Sequence, residues 1–412
     1  MHYKILKTVA IILFILVIIG ISCIAFLFIA GNNKSLSANN FIYTNEIQVS
    51  ESSNSDLNEN PNNNNVIISE NMLDLNEIVG DLKIIPDYNL EFELPVQGAT
   101  GYASIELNIR KEANSSSNLV KKLSPGTGFE IIGENGNWLK IEANGITGWA
   151  NKKYVMINLP DIIPSIIYDD TNSYSSLFKS SEIDIPNVTG KQLYNNKAYN
   201  KRLSKEEYMM PVMYEMAIKI MKAQELALKE GYSLKIYETY RPYEAQKTVS
   251  TNLRELMNSN KTVYNGINGG GWNEGWFIAQ VLSNHQRGIA MDVSLVKIND
   301  YEVGKTGEYK YMVITDYTEE QMPTQMHELS NKAISMSYAV DSNSKTAWEK
   351  VPVAKNMTDG AMRLRDYCVA ADLTPLCSEW WHFNDLDARE NIGSNYSTGR
   401  YYITECYSAI PE

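Results

Sequence analysis

The chain has 412 residues, of which 44% are hydrophobic and 21% are charged, so it can bury the cores of two or three domains. Its formal net charge of −12 argues against a broad basic face for nucleic-acid phosphates, and we expect no nucleic-acid partner. Four cysteines are too few for a disulfide scaffold of this length, and the four histidines can be examined one by one.

The first predicted element is a transmembrane helix. Residues 8–30 contain no charged side chain, and about 20 such residues are needed to cross a bilayer. Lys4 and Lys7 precede this segment and only Lys34 follows it closely, which predicts a cytoplasmic N-terminus and an extracytoplasmic body. A cleaved signal peptide and lipidation at Cys23 are the alternatives, although the apolar run is longer than that of a signal peptide. We therefore predict a single-pass protein of the cell membrane, with residues 1–30 as its N-terminus and anchor.

Residues 31–97 are predicted to be a disordered tether. This segment is rich in asparagine and serine, and it offers little apolar surface to offset the chain entropy lost on folding. A partly folded stalk is the alternative, because short apolar runs occur within residues 76–80 and 82–85.

A small all-β module is predicted for residues 98–159. Short apolar runs alternate there with glycine-rich turn signals, a pattern typical of a small barrel. Residues 107–110 and 136–141, with Gly148-Trp149, resemble bacterial SH3-like domains, which implies a module that binds cell wall or positions a neighbouring enzyme. Trp138 and Trp149 are expected to fill the barrel core.

Residues 160–412 are predicted to form one α+β domain with a mixed or antiparallel sheet and flanking helices. Its clearest helix is expected to hold Pro211 in the first turn and to end at Gly231. A strand over residues 233–240 follows and ends before Pro242, so the side chain of Arg241 can enter a cleft.

The chemical signals of this domain are two short motifs. His285 and Asp292 are seven residues apart, and Gly288 between them permits a turn that brings both to one ion. Glu379 and His382 are three residues apart, close enough to serve one site in different roles. Two histidines and an aspartate leave the fourth position of a catalytic Zn²⁺ site open for water, and Glu379 is then a spare carboxylate for proton transfer. Each motif alone is weak, but their occurrence together is specific.

These motifs resemble those of the zinc D-Ala-D-Ala peptidases, which include the vancomycin-resistance dipeptidases and carboxypeptidases. The signatures of that family are Tyr-Arg-Pro after a strand, Ser-x-His-x-x-Gly-x-Ala-x-Asp and Glu-x-Trp-His, and all are present between residues 161 and 412. The resemblance implies zinc ligation by His285, Asp292 and His382. It also implies that Glu379 is the catalytic base and that Arg241 stabilises the oxyanion.

The residues expected to contact the substrate match the family less closely than the expected zinc ligands do. The resemblance implies contacts by Ser283 and Tyr240, and the dipeptidases carry an aspartate that binds the free amino group of the substrate. His327 occupies the place of that aspartate here, with Glu328 beside it. A neutral imidazole cannot pair with an ammonium ion as a carboxylate does. Either Glu328 takes this role, or the enzyme acts on longer peptides without a free amine.

The sequence therefore predicts a membrane-anchored, extracytoplasmic zinc metallopeptidase that hydrolyses D-Ala-D-Ala bonds as a dipeptidase or DD-carboxypeptidase. Its expected partners are a peptidoglycan peptide or D-Ala-D-Ala as substrate, the cell wall through the SH3-like module, and the membrane through the helix. A peptidoglycan stem-peptide endopeptidase and a non-catalytic wall-binding protein are the alternatives left open. A disulfide between Cys368 and Cys377 is also left open.

Overall fold

The computed structural model describes residues 92–280 and 282–411 of the chain. The predicted anchor and most of the predicted tether lie outside the described residues. Within the described residues, no helix combines the length and the apolar character that crossing a membrane requires.

The last six residues of the predicted tether are packed into the fold. Phe92, Leu94 and Val96 are buried, and the Leu94 amide donates to the Ile162 carbonyl at 3.1 Å. The predicted boundary at residue 98 is therefore too late, because alternate apolar side chains of this segment contribute to the core.

The predicted all-β module is present. Its seven strands are β1 (Thr100–Ala103), β2 (Leu107–Arg110), β3 (Leu119–Leu123), β4 (Gly128–Asn135), β5 (Trp138–Ala143), β6 (Ile146–Asn151) and β7 (Val155–Asn158). They pair in the antiparallel order β7-β1-β4-β5-β6-β2-β3. Alternate side chains of these strands point inward, so that Ile109, Phe129, Ile131, Leu139 and Ile141 form the buried core.

Trp138 and Trp149 do not fill this core, contrary to our expectation. Both are half-buried. Trp138 precedes the buried Leu139 and faces the other side of β5, and Trp149 lies on that same side because it pairs with Lys140. Strand register, which sets the face of each residue, places aliphatic side chains and one phenylalanine in the interior instead.

Short strands open the C-terminal domain. They are β8 (Ile167–Tyr168), β9 (Lys179–Ser180), β10 (Ile183–Asp184), β11 (Lys197–Asn200), β12 (Lys205–Tyr208) and β13 (Pro211–Met213). β9 pairs with β10 and β11 pairs with β12, whereas β13 pairs with β7 and adds an eighth strand to the sheet of the all-β module. Pro211 thus begins an edge strand, where a missing amide hydrogen is tolerated, and our prediction of a helical first turn there is wrong.

A six-stranded mixed sheet lies at the centre of the C-terminal domain. Besides β8, it contains β14 (Tyr232–Glu238), β15 (Ala290–Thr306), β16 (Tyr309–Glu319), β17 (Thr374–Leu376) and β18 (Glu379–Asn384). The order is β17-β18-β15-β14-β8, with β16 also paired to β15, and only the β14–β8 pair is parallel. The predicted α+β class is confirmed.

Six α-helices occur in the described part of the chain. They are α1 (Tyr214–Lys229), α2 (Tyr243–Ser259), α3 (Lys261–Asn268), α4 (Glu274–Phe277), α5 (Asp359–Ala370) and α6 (Leu386–Ile392). Met216, Ile220 and Ala223 recur on one face of α1 and are buried, because α1 packs on β14 and α5. α1 stops before Gly231, whose φ of 78° ends the helix as predicted.

The end of the chain returns to the all-β module. The Tyr102 hydroxyl donates to the Glu405 carbonyl at 2.9 Å, and the Ala409 amide donates to the Gly98 carbonyl at 2.8 Å. These contacts join β1, and Gly98 two residues before it, to the last ten residues of the chain.

The cysteines of the described residues are free. Cys368 and Cys377 are both buried and are not joined by a disulfide. Burial raises the pKa of both thiols, which keeps them protonated and unreactive.

Candidate metal centre and active site

Three neighbouring strands carry the ionisable side chains of the site. The register pairs Glu238 of β14 with Asp292 of β15, and Asp292 with His382 of β18. Paired residues share a face of the sheet and have Cβ atoms about 5 Å apart, so these three side chains meet. Glu379 begins β18, and Arg241 follows β14 by three residues.

His285 reaches the site from a turn. Gly288 adopts a φ of 72° in this turn, and its amide donates to the His285 carbonyl at 3.1 Å. A Cβ at this position would lie 2.8 Å from Sδ of Met156, in a backbone conformation that favours glycine. The predicted turn that folds His285 back on Asp292 is present.

His285, Asp292 and His382 converge on one point. Nε2 of His285 lies 3.2 Å from Nδ1 of His382 and 3.3 Å from Oδ1 of Asp292, and the last two atoms are 3.0 Å apart. Tetrahedral ligands placed about 2.0 Å from zinc are about 3.3 Å from one another. All three residues are buried, and their spacing fits a zinc ion.

In each of the two imidazoles, a hydrogen bond at one ring nitrogen fixes which nitrogen faces this point. The nitrogen that makes this bond is called the outer nitrogen. Nδ1 of His285 lies 2.7 Å from the Thr239 carbonyl oxygen, and Nε2 of His382 lies 3.0 Å from Oδ1 of Asn384. Both partners are acceptors, so these outer nitrogens carry the protons. With a metal ion bound, the inner nitrogens would present lone pairs to it, whereas in the metal-free protein they can carry protons that are shared with the Asp292 carboxylate.

The pKa values of the two imidazoles shift in opposite directions, and both imidazoles affect the pKa of Asp292. Burial lowers the pKa of His285 and so favours the neutral imidazole. Burial acts in the same direction on His382, but the hydrogen bond and charge of Asp292 outweigh it and raise that pKa. The pKa of Asp292 lies well below its usual range, because the effect of burial is exceeded by the charge of His285 and by hydrogen bonds from the surrounding imidazoles. Asp292 is therefore ionised.

Glu379 is the carboxyl group next to these three residues. Its Oε2 lies 3.6 Å from Nδ1 of His382, and the residue is 7% exposed. Burial raises the pKa of Glu379 to about 8. A carboxyl group with such a pKa can both accept and deliver a proton near neutral pH.

Arg241 is buried and held by fixed partners. Its Nε donates to Glu238 at 2.8 Å, its Nη1 donates to Gln246 at 2.8 Å, and its Nη2 donates to Oδ2 of Asp292 at 3.2 Å. The guanidinium carbon also lies 5.0 Å from the ring centroid of Phe178. These contacts fix the guanidinium plane beside the candidate metal ligands.

His327 and Glu328 are both engaged by the protein. Nε2 of His327 lies 3.1 Å from Oδ2 of Asp292, and the His327 backbone has a φ of 63°. The Glu328 carboxylate accepts hydrogen bonds from the Ser181 amide at 2.5 Å and from the next amide at 3.0 Å. Glu328 is therefore held by the backbone, whereas Nδ1 of His327 is buried and has no partner among the described residues.

Ser283 and Tyr240 differ in their placement. Ser283 lines the cavity described below, and its Oγ accepts from the His285 amide at 3.2 Å. Tyr240 stacks on the Tyr401 ring and donates to the Tyr401 carbonyl at 2.8 Å. The structure therefore brings Ser283 to the site and directs Tyr240 away from it.

A cavity of about 180 Å³ opens onto the candidate metal ligands, Glu379 and Arg241. Its lining includes several side chains that our sequence analysis did not single out: Phe178, Asn284, Arg287, Asn384 and Arg389. Glu238 was also missed, although its position three residues before Arg241 at a strand end was a usable signal.

Comparison with known proteins agrees with this geometry. A family model described as D-Ala-D-Ala dipeptidase, in the M15 peptidases, matches residues 174–399, more than half of the chain. A model of the bacterial SH3 domain matches residues 105–156. A putative N-acetylmuramoyl-L-alanine amidase of Bacillus subtilis, YrvJ, is 34% identical over 59 residues. That alignment covers 14% of this chain and 11% of the relative, so the chain spans only a small part of the relative's length.

Proposed function

Because the chain belongs to the D-Ala-D-Ala dipeptidase family of peptidases, we propose that it is a zinc metallopeptidase that hydrolyses D-Ala-D-Ala bonds in peptidoglycan-derived peptides. The observation that supports this most directly is the convergence of His285, Asp292 and His382 at mutual distances of 3.0 to 3.3 Å, beside Glu379. The bacterial SH3 domain agrees with a substrate in the cell wall.

His285, Asp292 and His382 would hold the zinc ion, which when bound polarises a carbonyl group and makes a water molecule more acidic. Glu379 takes a proton from the attacking water and delivers it to the nitrogen of the leaving residue. The water oxygen is added to the carbonyl carbon and the C–N bond breaks. The products are a shortened peptide with a new carboxyl group and free D-Ala.

Arg241 stabilises the negative charge that develops on the carbonyl oxygen. A guanidinium has five N–H donors, and bonds to Glu238, Gln246 and Asp292 occupy four of them. The remaining Nη1 hydrogen is available to the substrate in a buried setting. Loss of such a donor typically lowers turnover by about 10²–10³.

The proposal places this domain outside the membrane, held by the helix predicted for residues 8–30. The D-Ala-D-Ala ends of peptidoglycan stem peptides lie on that side, whereas free D-Ala-D-Ala is made inside cells. The SH3 domain would then bind the cell wall and keep the catalytic domain near its substrate.

The test uses the full-length chain, zinc and a stem pentapeptide that ends in D-Ala-D-Ala. We expect release of D-Ala, and we expect Glu379→Gln to keep its zinc but to lose turnover by about 10²–10⁴ because the proton acceptor is gone. Glu225→Gln, which changes an exposed glutamate paired with Lys229, is the matched control and should retain turnover. Chromatography measures D-Ala, and metal analysis measures zinc.

Three outcomes would contradict the proposal. Full turnover by Glu379→Gln would show that this residue is not the base. Cleavage within the stem without release of D-Ala would favour the endopeptidase alternative. A wild-type chain that binds no zinc and yields no product would favour the non-catalytic wall-binding alternative.

A further inference from the structure

Two arginines line the cavity of the candidate active site without an acidic partner. Arg287 belongs to the turn that follows His285, and Arg389 lies on α6. Within residues 92–280 and 282–411, no carboxylate lies within 4.0 Å of a nitrogen of either guanidinium, whereas most other arginines there form ion pairs. These two cationic side chains are thus free to bind a ligand.

The Arg287 guanidinium is also incompletely hydrogen-bonded. Its Nε is buried and has no acceptor among the described residues, and its carbon lies 4.4 Å from the ring centroid of Tyr396. A buried donor without an acceptor is unfavourable, and an anion bound in the cavity beside Arg287 would supply the missing acceptor.

The acidic side chains that line the cavity already have partners within the protein. Asp292 accepts from Arg241 and lies against the imidazoles, and Glu379 lies beside His382. Glu328 is held by backbone amides and lines a separate cavity. The cavity therefore offers unpaired positive charge to a ligand but no unpaired negative charge.

We propose that Arg287 and Arg389 form a subsite for the C-terminal carboxylate of the leaving residue, so that the enzyme is a carboxypeptidase of peptides with a free C-terminus. Guanidinium groups suit this role because they bind carboxylates through paired hydrogen bonds. A substrate amino group is not required, because no carboxylate of the described cavity is available to hold it. This inference rests on the proposed function and specifies its substrate.

The experiment compares two blocked peptides with the zinc-loaded full-length chain. Both are N-acetylated and end in D-Ala-D-Ala, one as the free acid and the other as the C-terminal amide. We expect the wild type to prefer the acid, and we expect Arg389→Gln and Arg287→Gln each to lower the acid-to-amide ratio of kcat/KM by roughly tenfold to a hundredfold. The loss should occur mainly in KM, because the carboxylate takes no part in bond cleavage.

Arg363→Gln is the matched control, since Arg363 is paired with Glu230 on the surface, and it should keep the wild-type ratio. Equal cleavage of acid and amide by the wild type, or an unchanged ratio in both arginine variants, would overturn the inference.

A binding measurement separates this inference from the proposed function. Calorimetry with zinc-loaded Glu379→Gln should show tighter binding of the acid than of the amide, and the added Arg389→Gln change should remove the difference. If the wild type cleaves neither peptide, the proposed function fails, and the binding difference alone decides on the carboxylate subsite. Equal binding of acid and amide would then overturn it.

Discussion

Asp292 contacts the other candidate metal ligands through one oxygen and Arg241 and His327 through the other. Its Oδ1 faces His285 and His382, whereas its Oδ2 lies near donors on Arg241 and His327. One carboxylate thus acts as a candidate metal ligand and also positions the guanidinium that is proposed to stabilise the oxyanion. Loss of a hydrogen-bond partner of Oδ2 should therefore weaken zinc binding.

His327 provides a test of this coupling. His327→Asn removes the ring nitrogen that lies 3.1 Å from Oδ2 of Asp292, so the carboxylate loses an orienting partner. We expect zinc affinity, measured by competition with a chelator, to fall by roughly 10–100-fold. Lys332→Gln, an exposed change in the same segment, should leave zinc affinity unaltered. Wild-type zinc affinity in His327→Asn would show that His327 does not position Asp292.

The raised pKa of Glu93 predicts that the stability of the protein depends on pH. Burial raises its pKa to about 7, although Ser165 donates to it from both its amide and its hydroxyl group. Because the carboxyl of the unfolded chain has a pKa of about 4.3, the folded protein binds the proton more tightly. The stabilisation from Glu93 is therefore complete below about pH 4 and is lost as the pH rises through about 7.

Urea unfolding at about pH 5 and about pH 8 measures this effect. The free energy of unfolding of the wild type should fall more between these two values than that of Glu93→Gln, which cannot ionise. The same fall in both proteins would contradict the raised pKa of Glu93.

At the scale of elements, the site depends on the register of β14, β15 and β18. The turn at Gly288 and the strand that ends before Arg241 could be predicted, because glycine and proline act on the local backbone. The alignment of Glu238 with Asp292 and His382 could not, because pairing between strands far apart in sequence is not encoded by local pattern.

The same contrast between local signals and the pairing of distant segments explains the other differences between our sequence-based predictions and the structure. The inward face of β5 and β6 was not evident from the presence of two tryptophans, and the pairing of β13 with β7 was not evident from Pro211. His327 could be compared with the family position but not placed, since the long β15–β16 hairpin separates it from Asp292 in the sequence. Its contact with Asp292 follows from tertiary packing alone.

Gly288→Ala tests the role of the turn. Alanine is disfavoured at a φ of 72°, and its Cβ would meet the Met156 side chain, so His285 should be displaced. We expect at least about tenfold weaker zinc binding, by analogy with the loss of a supporting contact. Gly136→Ala, also at positive φ but with nothing within 4 Å of the added Cβ, should keep wild-type zinc affinity. Equal zinc affinity in both variants would contradict this account of the turn.

At the scale of the whole molecule, the all-β module supports the turn that carries His285. The Met213 amide in β13 donates to the Gly288 carbonyl at 2.7 Å, and Met156 of β7 lies next to the same glycine. The module is thus a structural part of the site in addition to its proposed role at the cell wall.

Arg202 connects the module to both ends of the C-terminal domain. It is 1% exposed and donates to the Asp161 carbonyl at 2.5 Å, to the Gln97 carbonyl, and to the Ala409 carbonyl at 3.3 Å. Arg202→Ala leaves these three carbonyl oxygens without their donor. We expect the free energy of unfolding in urea to fall by about 2–3 kcal/mol, because buried acceptors are left unsatisfied.

Arg363→Ala is the surface control for this prediction and should change the free energy of unfolding by less than about 1 kcal/mol. If Arg202→Ala were no more destabilising than this control, the contacts of Arg202 would not stabilise the junction.

Zinc titration of the metal-free, full-length chain tests the central claim most directly. Bound metal and release of D-Ala from a stem pentapeptide are measured on the same samples, for the wild type and for His382→Ala. We predict that activity rises with added zinc and saturates at one zinc ion per chain, and that His382→Ala loses both tight zinc binding and D-Ala release. Equal activity with and without zinc, or wild-type zinc binding and turnover in His382→Ala, would contradict the account.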